Sequence, residues 1–173
     1  MNIIYRKAIE KDSREWNEIV NRVWRDAYKD IFPEEVFIDK ENRIEEKEKR
    51  FIEKLVNNKN TILYVAECEN KIVGIMIGEI NSGYKYFHNE YADLVGLYID
   101  PKYQGMKIGT NLKNIFEKWA KENGATKYMI GVLKDNINAR KVYESWGGKL
   151  SEYESDFVKL GVNYKEVFYT FDL

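Results

Sequence analysis

One stretch constrains the chain more than any other: Leu94 to Trp119, reading LVGLYIDPKYQGMKIGTNLKNIFEKW. Leu94 to Ile99 is an apolar run rich in β-branched and aromatic residues, the pattern of a buried strand. Asp100-Pro101 ends it, because proline has no N–H to donate to a ladder and biases its predecessor away from helix. Ile108, Leu112, Ile115 and Trp119 then fall on one stripe and predict a helix. Between strand and helix lies Gln104-Gly105-Met106-Lys107-Ile108-Gly109-Thr110. A helix start exposes unpaired N–H groups and carries partial positive charge. Glycine at 105 and 109 lets another group's oxygen come close to the backbone. Strand, glycine-bearing turn and helix start together read as a seat for a phosphate or diphosphate. Neither GxxxxGK[ST] nor GxGxxG is present.

The other elements follow from periodicity. Asn2 to Ile9 alternates as a short strand, and Asp12 or Ser13 can cap a helix carrying Trp16, Ile19, Val20, Val23, Trp24, Ala27 and Tyr28. Phe32-Pro33 interrupts it, and Glu34 starts a second helix. Asp39 to Asn57 reads as a solvated helix, with Glu45–Lys49 and Glu46–Arg50 spaced for i,i+4 pairs. Thr61–Glu67 and Lys71–Ile80 form a hairpin whose turn gives Asn70 positive φ. Asn81 to Tyr91 is a polar, aromatic loop over a pocket. Asn123-Gly124 stops the central helix, and Lys127 to Leu133 is a strand buried on both faces. Asn136 to Trp146 is a helix ended by Gly147-Gly148, and strands at Lys149–Val158 and Tyr164–Asp172 close the sheet. The expected architecture is α/β (α+β): a mixed, mostly antiparallel sheet of roughly seven strands flanked by helices, as one domain over residues 1–173.

Composition removes several classes. Lysine and arginine total 28 against 29 acids, so the net charge of −1 offers no footprint for nucleic acid or an anionic membrane. No apolar run reaches the ~18 residues of a membrane span, and MNIIYRKAIEKD is charged too early for a signal peptide. One cysteine, Cys68, excludes an internal disulfide and fits a reducing, cytoplasmic compartment. One cysteine and one histidine, His88, argue against a zinc site, so no metal is expected. Cys68 reads as a small core residue.

Downstream of the buried strand comes LKDNINARKVYESWGGKL. Asn136, Ala139 and Tyr143 are spaced three and four apart, so they share one helix face. Taken singly, Asn136 reads as an N-cap and Tyr143 as a half-buried core aromatic. Taken with the turn at 104–110, they resemble the two signatures of the GNAT N-acetyltransferase family. Gln104 and Gly109 match its acyl-CoA loop, [QR]xxGx[GA], with Lys107 in place of the first glycine; Asn136, Ala139, Tyr143 and Gly147 match Nxx[AS]xxx[YF]xxxGF. The resemblance covers Ile62 to Val158 and implies acetyl-CoA as co-substrate.

What the resemblance implies for the chemistry is direct transfer of an acetyl group from CoA sulfur to a primary amine. The amides of Gln104, Gly105, Met106, Lys107, Ile108, Gly109 and Thr110 would hold the diphosphate. Tyr98 and Ile99 would pair with the pantetheine arm like an added strand. The N–H of about Leu97, beside a bulge at Gly96, would meet the developing oxyanion. Asn136 would bond a pantetheine amide, Ala139 would leave room for the arm, and Tyr143 would bring a proton to the sulfur. Asp93, eleven residues before Gln104, stands where some members carry a glutamate base and would act through water; as a residue it reads equally as a solvated carboxylate. Glu90 and His88 are the lesser candidates. Trp24, Tyr28 and Phe32, interleaved with Asp26, Asp30, Glu34 and Glu35, suit a cationic amine and loosely resemble the polyamine-acetylating members, or else form a core stripe with a solvated acidic face. The expected partner is a small-molecule amine, with the protein a monomer or homodimer. Two other readings stay open: a CoA-binding sensor or an acetylase of protein amino groups on the same fold, and a non-catalytic interaction domain.

Overall fold

The computed structural model describes residues 2–57, 59–88 and 90–173. A seven-stranded sheet, ordered β1-β2-β3-β4-β5-β7-β6, runs through it. Its strands are β1 (Ile3–Lys7), β2 (Thr61–Cys68), β3 (Lys71–Ile80), β4 (Tyr91–Ile99), β5 (Lys127–Leu133), β6 (Lys149–Lys159) and β7 (Val162–Asp172). The helices are α1 (Ser13–Tyr28), α2 (Glu34–Asn42), α3 (Ile44–Asn57), α4 (Ile108–Glu122) and α5 (Ile137–Ser145). Every neighbouring pair is antiparallel except β4 and β5, which are parallel. The expected class and strand number hold.

The two faces bury different sets. Toward α4, the core gathers Ile62, Met76, Leu94, Leu112, Phe116, Tyr128 and Tyr169. Toward α1 and α3, it gathers Trp16, Ile19, Phe51, Val65 and Ile75. The α4 stripe is Ile108, Leu112, Phe116 and Ala120, all buried, with Ile115 and Trp119 at its margin. Gly78 lets that helix lie close to β3, since a Cβ there would stand 2.5 Å from the Phe116 ring.

Local differences from the periodicity have local causes. The charged segment is two helices, parted at Arg43, whose guanidinium takes Glu46. Glu46 still pairs with Arg50, whereas Glu45 and Lys49 form no ion pair among the described residues. Asp12 does not cap α1; its carboxylate accepts the Ile9 N–H at 2.9 Å and binds Arg6. The hairpin turn uses positive φ at both Glu69 (51°) and Asn70 (61°), the geometry of a two-residue turn. The last turn does the same with Leu160 and Gly161, which extends both final strands.

Two irregularities in β4 create an opening. Ile77 pairs with Gly96 and Glu79 with Asp93, so β4 carries one extra residue there. That bulge lies at Leu94–Val95, just before Gly96, and it reverses which face the following side chains take: Ala92 and Leu94 join the α4 core before it, Leu97 and Ile99 after it. Beyond it, β4 and β5 part. Their register holds only for Tyr91–Lys127, Ala92–Tyr128 and Asp93–Met129.

Candidate functional site

The parted strands leave backbone groups without partners. Asp100 N–H donates to Val73 O at 3.0 Å, so the amides that alternate with it, Ile99 and Leu97, face away from β3 and into the opening. Past the strand, Asp100 fixes the turn. It is 6 % exposed, pairs with Arg22 of α1 at 2.7 Å and accepts the Lys102 N–H at 3.0 Å. A single 3-10 turn, Pro101–Tyr103, leads into the loop.

Within that loop, Gly105 and Lys107 have φ of 78° and 60°. Two left-handed residues bracketing Met106 curl the chain into a concavity lined by amides. The N–H groups from Gly105 through Thr110 find no acceptor among the described residues, and the first amide satisfied at the start of α4 is Asn111, bonded to Lys107 O at 3.0 Å. Those free donors, with the positive end of a helix of 15 residues behind them, fit a diphosphate.

On the far side stands α5. Asn136 caps it by accepting the Ala139 N–H at 3.1 Å, which leaves its amide nitrogen toward the Tyr28 phenol. Tyr169 of β7 clamps the same helix: its hydroxyl donates to Glu144 at 2.6 Å and accepts from Arg140 at 3.1 Å. Tyr143 thereby presents its ring to the opening, 5.9 Å from that of Trp146.

Loop, strand end, α5 and the end of α1 enclose a cleft of about 820 Å³. Leu97, Tyr98, Ile99, Gln104, Gly105, Lys107, Ile108, Gly109, Thr110, Asn136, Ala139 and Tyr143 line it, as does Tyr28. Met106 does not, and is 39 % exposed. Asp26, Asp30, Tyr103, Asn138, Val142 and Trp146 also line it; Val142 and Trp146 lie within the second signature segment, and the two acids alternate with Trp24, Tyr28 and Phe32 in the sequence. Gly109 leaves ordinary contact distances, 3.7 Å to Ile99 and 3.9 Å to Trp146 from an added Cβ, so its value is open space rather than avoided collision.

Three phenols meet at the mouth of the strand opening. Tyr28, Tyr98 and Tyr143 are all held above the ordinary phenol range, first by burial; Tyr98 and Tyr143 add to this at Tyr28, Tyr98 at Tyr143, and Glu166 at Tyr98. Trp24 Nε1 is directed at Tyr98 without reaching bonding geometry and has no other partner among the described residues. Trp24 and Phe32 sit behind the cleft, stacked 5.9 Å apart in a cluster with Val36, Phe37 and Leu133, and Phe32 is only 4 % exposed. Lys40 and Lys159 stand over the Trp24 ring at 4.3 and 5.7 Å. Burial, then the neighbouring Lys47, brings the Lys40 amine down to about 7.

Asp93 lies outside the cleft lining, at the last register pair before the strands part, and is 8 % exposed. Burial, then Glu79, pushes its carboxyl up to about 7. His88 is exposed, and Glu90 pairs with Lys127 at 3.3 Å at the surface. Among the described residues no group of three or more His, Cys, Asp or Glu side chains is arranged to hold a metal, and no helix is long and apolar enough to cross a membrane.

The Acetyltransferase (GNAT) family profile matches residues 16–148, well over half the chain. No curated protein sequence matches. Among solved structures, PaiA N-acetyltransferase of Thermoplasma acidophilum in complex with coenzyme A superposes with a TM-score of 0.78 at 21% identity, covering 100% of both chains. YncA of Salmonella typhimurium, solved with its cofactor acetyl-CoA, gives 0.69 at 18%, covering 99% of this chain and 94% of that one. A ribosomal-protein-alanine N-acetyltransferase of Brucella melitensis gives 0.69 at 21%, covering 98% and 99%. At these identities the likeness is one of fold.

Proposed function

The chain belongs to the GNAT acetyltransferase family, and we propose that it transfers an acetyl group from acetyl-CoA to the primary amine of a small molecule. The observation that carries the reading is the run of free amides from Gly105 to Thr110 beside the outward N–H of Leu97, with the phenol of Tyr143 across the cleft. Acetyl-CoA supplies an activated thioester when bound.

The protein's part is to hold and to move protons. The 105–110 amides, helped by Gln104 and the Lys107 ammonium, hold the diphosphate. Asn136 and the open side of Ala139 guide the arm, and the Ile99 backbone pairs with it, the expected Tyr98 backbone being turned to Ile75 of β3 instead. The Leu97 N–H steadies the negative charge that grows on the acyl oxygen. An alkylamine is protonated near neutrality, with a pKa of about 10.4, so it must lose a proton to attack. Asp93, near 7, is matched to accept that proton through water. The amine nitrogen gains the acyl carbon and sheds its second proton as the carbon–sulfur bond breaks; the thiolate leaves on a hydrogen bond from Tyr143 and takes up that proton. Burial makes Tyr143 a weak acid, so hydrogen bonding serves the leaving sulfur better than complete transfer.

A polyamine belongs first in the acceptor panel. Asp26 and Asp30 line the cleft and would meet its second charge, with the Tyr28 and Tyr98 faces as aromatic wall, since lysines already cover Trp24. The test is thiol release from acetyl-CoA over a panel of polyamines, amino acids, aminoglycosides and peptides. An amine-dependent signal is expected, with Tyr143→Phe lowering kcat about 10- to 100-fold at unchanged acetyl-CoA affinity. No release with any amine, from a protein that binds acetyl-CoA, favours a sensor.

A further inference from the structure

Glu166 is a carboxylate fixed by neutral donors and left with one oxygen to spare. It projects from β7 on the face opposite α4, since Val167, Tyr169 and Phe171 join the α4 core while Phe168, which shares the alternation of Glu166, joins a different cluster. The Tyr84 hydroxyl donates to its Oε2 at 2.7 Å and the Ser155 hydroxyl at 2.9 Å. Its Oε1 accepts no hydrogen bond, and the residue forms no ion pair among the described residues. A half-buried anion anchored in this way lacks a cationic partner.

The place of that oxygen says what the partner is. A Cβ at Gly131 would stand 2.5 Å from Oε1 and 3.0 Å from Cδ, so the absence of a side chain there lets the carboxylate fold down over β5. Gly131 is two residues past Met129, where β5 last pairs with β4, and so lies in the strand opening. The Glu166 charge is felt by the Tyr28 and Tyr98 phenols and by Asp93. Tyr84 and Ser155 also line a second cavity, of about 480 Å³, which shares no lining residue with the CoA cleft. The carboxylate lines neither cavity itself: Tyr84 and Ser155 tie it to the second, and Gly131 sets it against the strand opening.

We infer that Glu166 Oε1 docks the ammonium of the acceptor amine in the opening between β4 and β5, in the notch left by Gly131. The inference rests on the acetyl-transfer reading above and adds to it the residue that selects a cationic nitrogen. Glu166 docks the charged form, and Asp93 receives the proton that must leave before attack.

The experiment compares wild type with Glu166→Gln and Gly131→Ala. Glutamine keeps an acceptor for Tyr84 and Ser155, so the fold is retained while the charge is lost; alanine keeps the charge and displaces it. Both variants are expected to raise the KM of an alkylamine about tenfold or more, with the acetyl-CoA KM unchanged and kcat changed far less. A weakly basic aromatic amine, uncharged at neutral pH, is expected to be indifferent to Glu166→Gln. Equal weakening of both amines would mark a structural role and overturn the inference, as would an unchanged alkylamine KM. A second measurement separates this from the reaction itself: alkylamines added to the CoA complex raise the melting midpoint of wild type and not of Glu166→Gln. A wild-type complex whose midpoint no alkylamine moves overturns the docking role, whatever the outcome of the thiol-release panel.

Discussion

Asp93 carries its charge reluctantly, and that has consequences for both stability and rate. Burial is the main cause, reinforced by Glu79 of β3 and Glu166 of β7 and opposed by a hydrogen bond with Ser82 and by Lys54 of α3. Below pH about 4 the carboxyl is protonated in folded and unfolded chains alike. Between there and about 7 the unfolded chain releases the proton and the folded protein keeps it, so stability falls as pH rises through this window and levels off above it. Asp93→Asn removes that loss: urea midpoints of variant and wild type should converge near pH 4 and separate in the variant's favour at pH 8. Catalysis runs the other way. Only the ionised carboxylate takes a proton, so kcat/KM of the wild type should rise through pH about 7, and Asp93→Asn should lose that limb with about 100-fold of rate. A variant that gains stability at pH 8 and keeps full rate would leave Asp93 as a buried bystander.

The elements show where a linear reading succeeds and where it cannot. The strand, broken turn and helix of Leu94–Trp119 form as their pattern predicts, because each of their signals is local: an apolar run, a proline, a period of 3.6. The second segment succeeds for the same reason, with Asn136, Ala139 and Tyr143 within two turns of one helix. Failures occur where distant segments meet. Glu166 and Tyr84 are 82 residues apart, and only the pairing of β5 with β7 sets that carboxylate over Gly131. Trp24 and Phe32 share a face of the first helical region, but no periodicity says whether that face looks into a cleft or into Leu133 and Phe157. Lys107 is the instructive departure within the loop. Its φ of 60° is the backbone state that glycine adopts without steric cost and lysine does not. Lys107→Gly should relieve about 1–2 kcal/mol of steric cost against about 0.5–1 kcal/mol of added unfolded-state entropy, a net gain of up to about 1.5 kcal/mol in chemical denaturation. The lost ammonium should weaken acetyl-CoA binding a few-fold at most, by an amount that shrinks as salt is added. Destabilisation on Lys107→Gly would mean that the lysine side chain holds the loop by a contact the backbone geometry does not explain.

At the scale of the whole molecule, the sheet is two sheets joined by a short seam. β1 to β4 and β5 to β7 each pair along most of their lengths, but the only register between them is the three residue pairs at the base of β4 and β5. The same parting that exposes the Leu97 amide deprives the fold of ladder hydrogen bonds at its centre. A ligand in the cleft touches both halves, the 104–110 loop and β4 on one and α5 on the other, and so replaces what the parting removes. Acetyl-CoA at 100 times its dissociation constant should therefore stabilise the folded state by about 2.7 kcal/mol. For a chain of this size that corresponds to a rise in melting midpoint of roughly 5–10 °C. If the loop amides supply the grip, pantetheine, which offers an arm without a diphosphate, should move the midpoint much less at equal concentration. Replacing Gly109 by a bulky residue should abolish the acetyl-CoA shift by filling the cleft while leaving the ligand-free midpoint little changed, because an added Cβ meets only ordinary contacts there. Equal shifts from acetyl-CoA and pantetheine would move the centre of binding from the helix start to the strand opening.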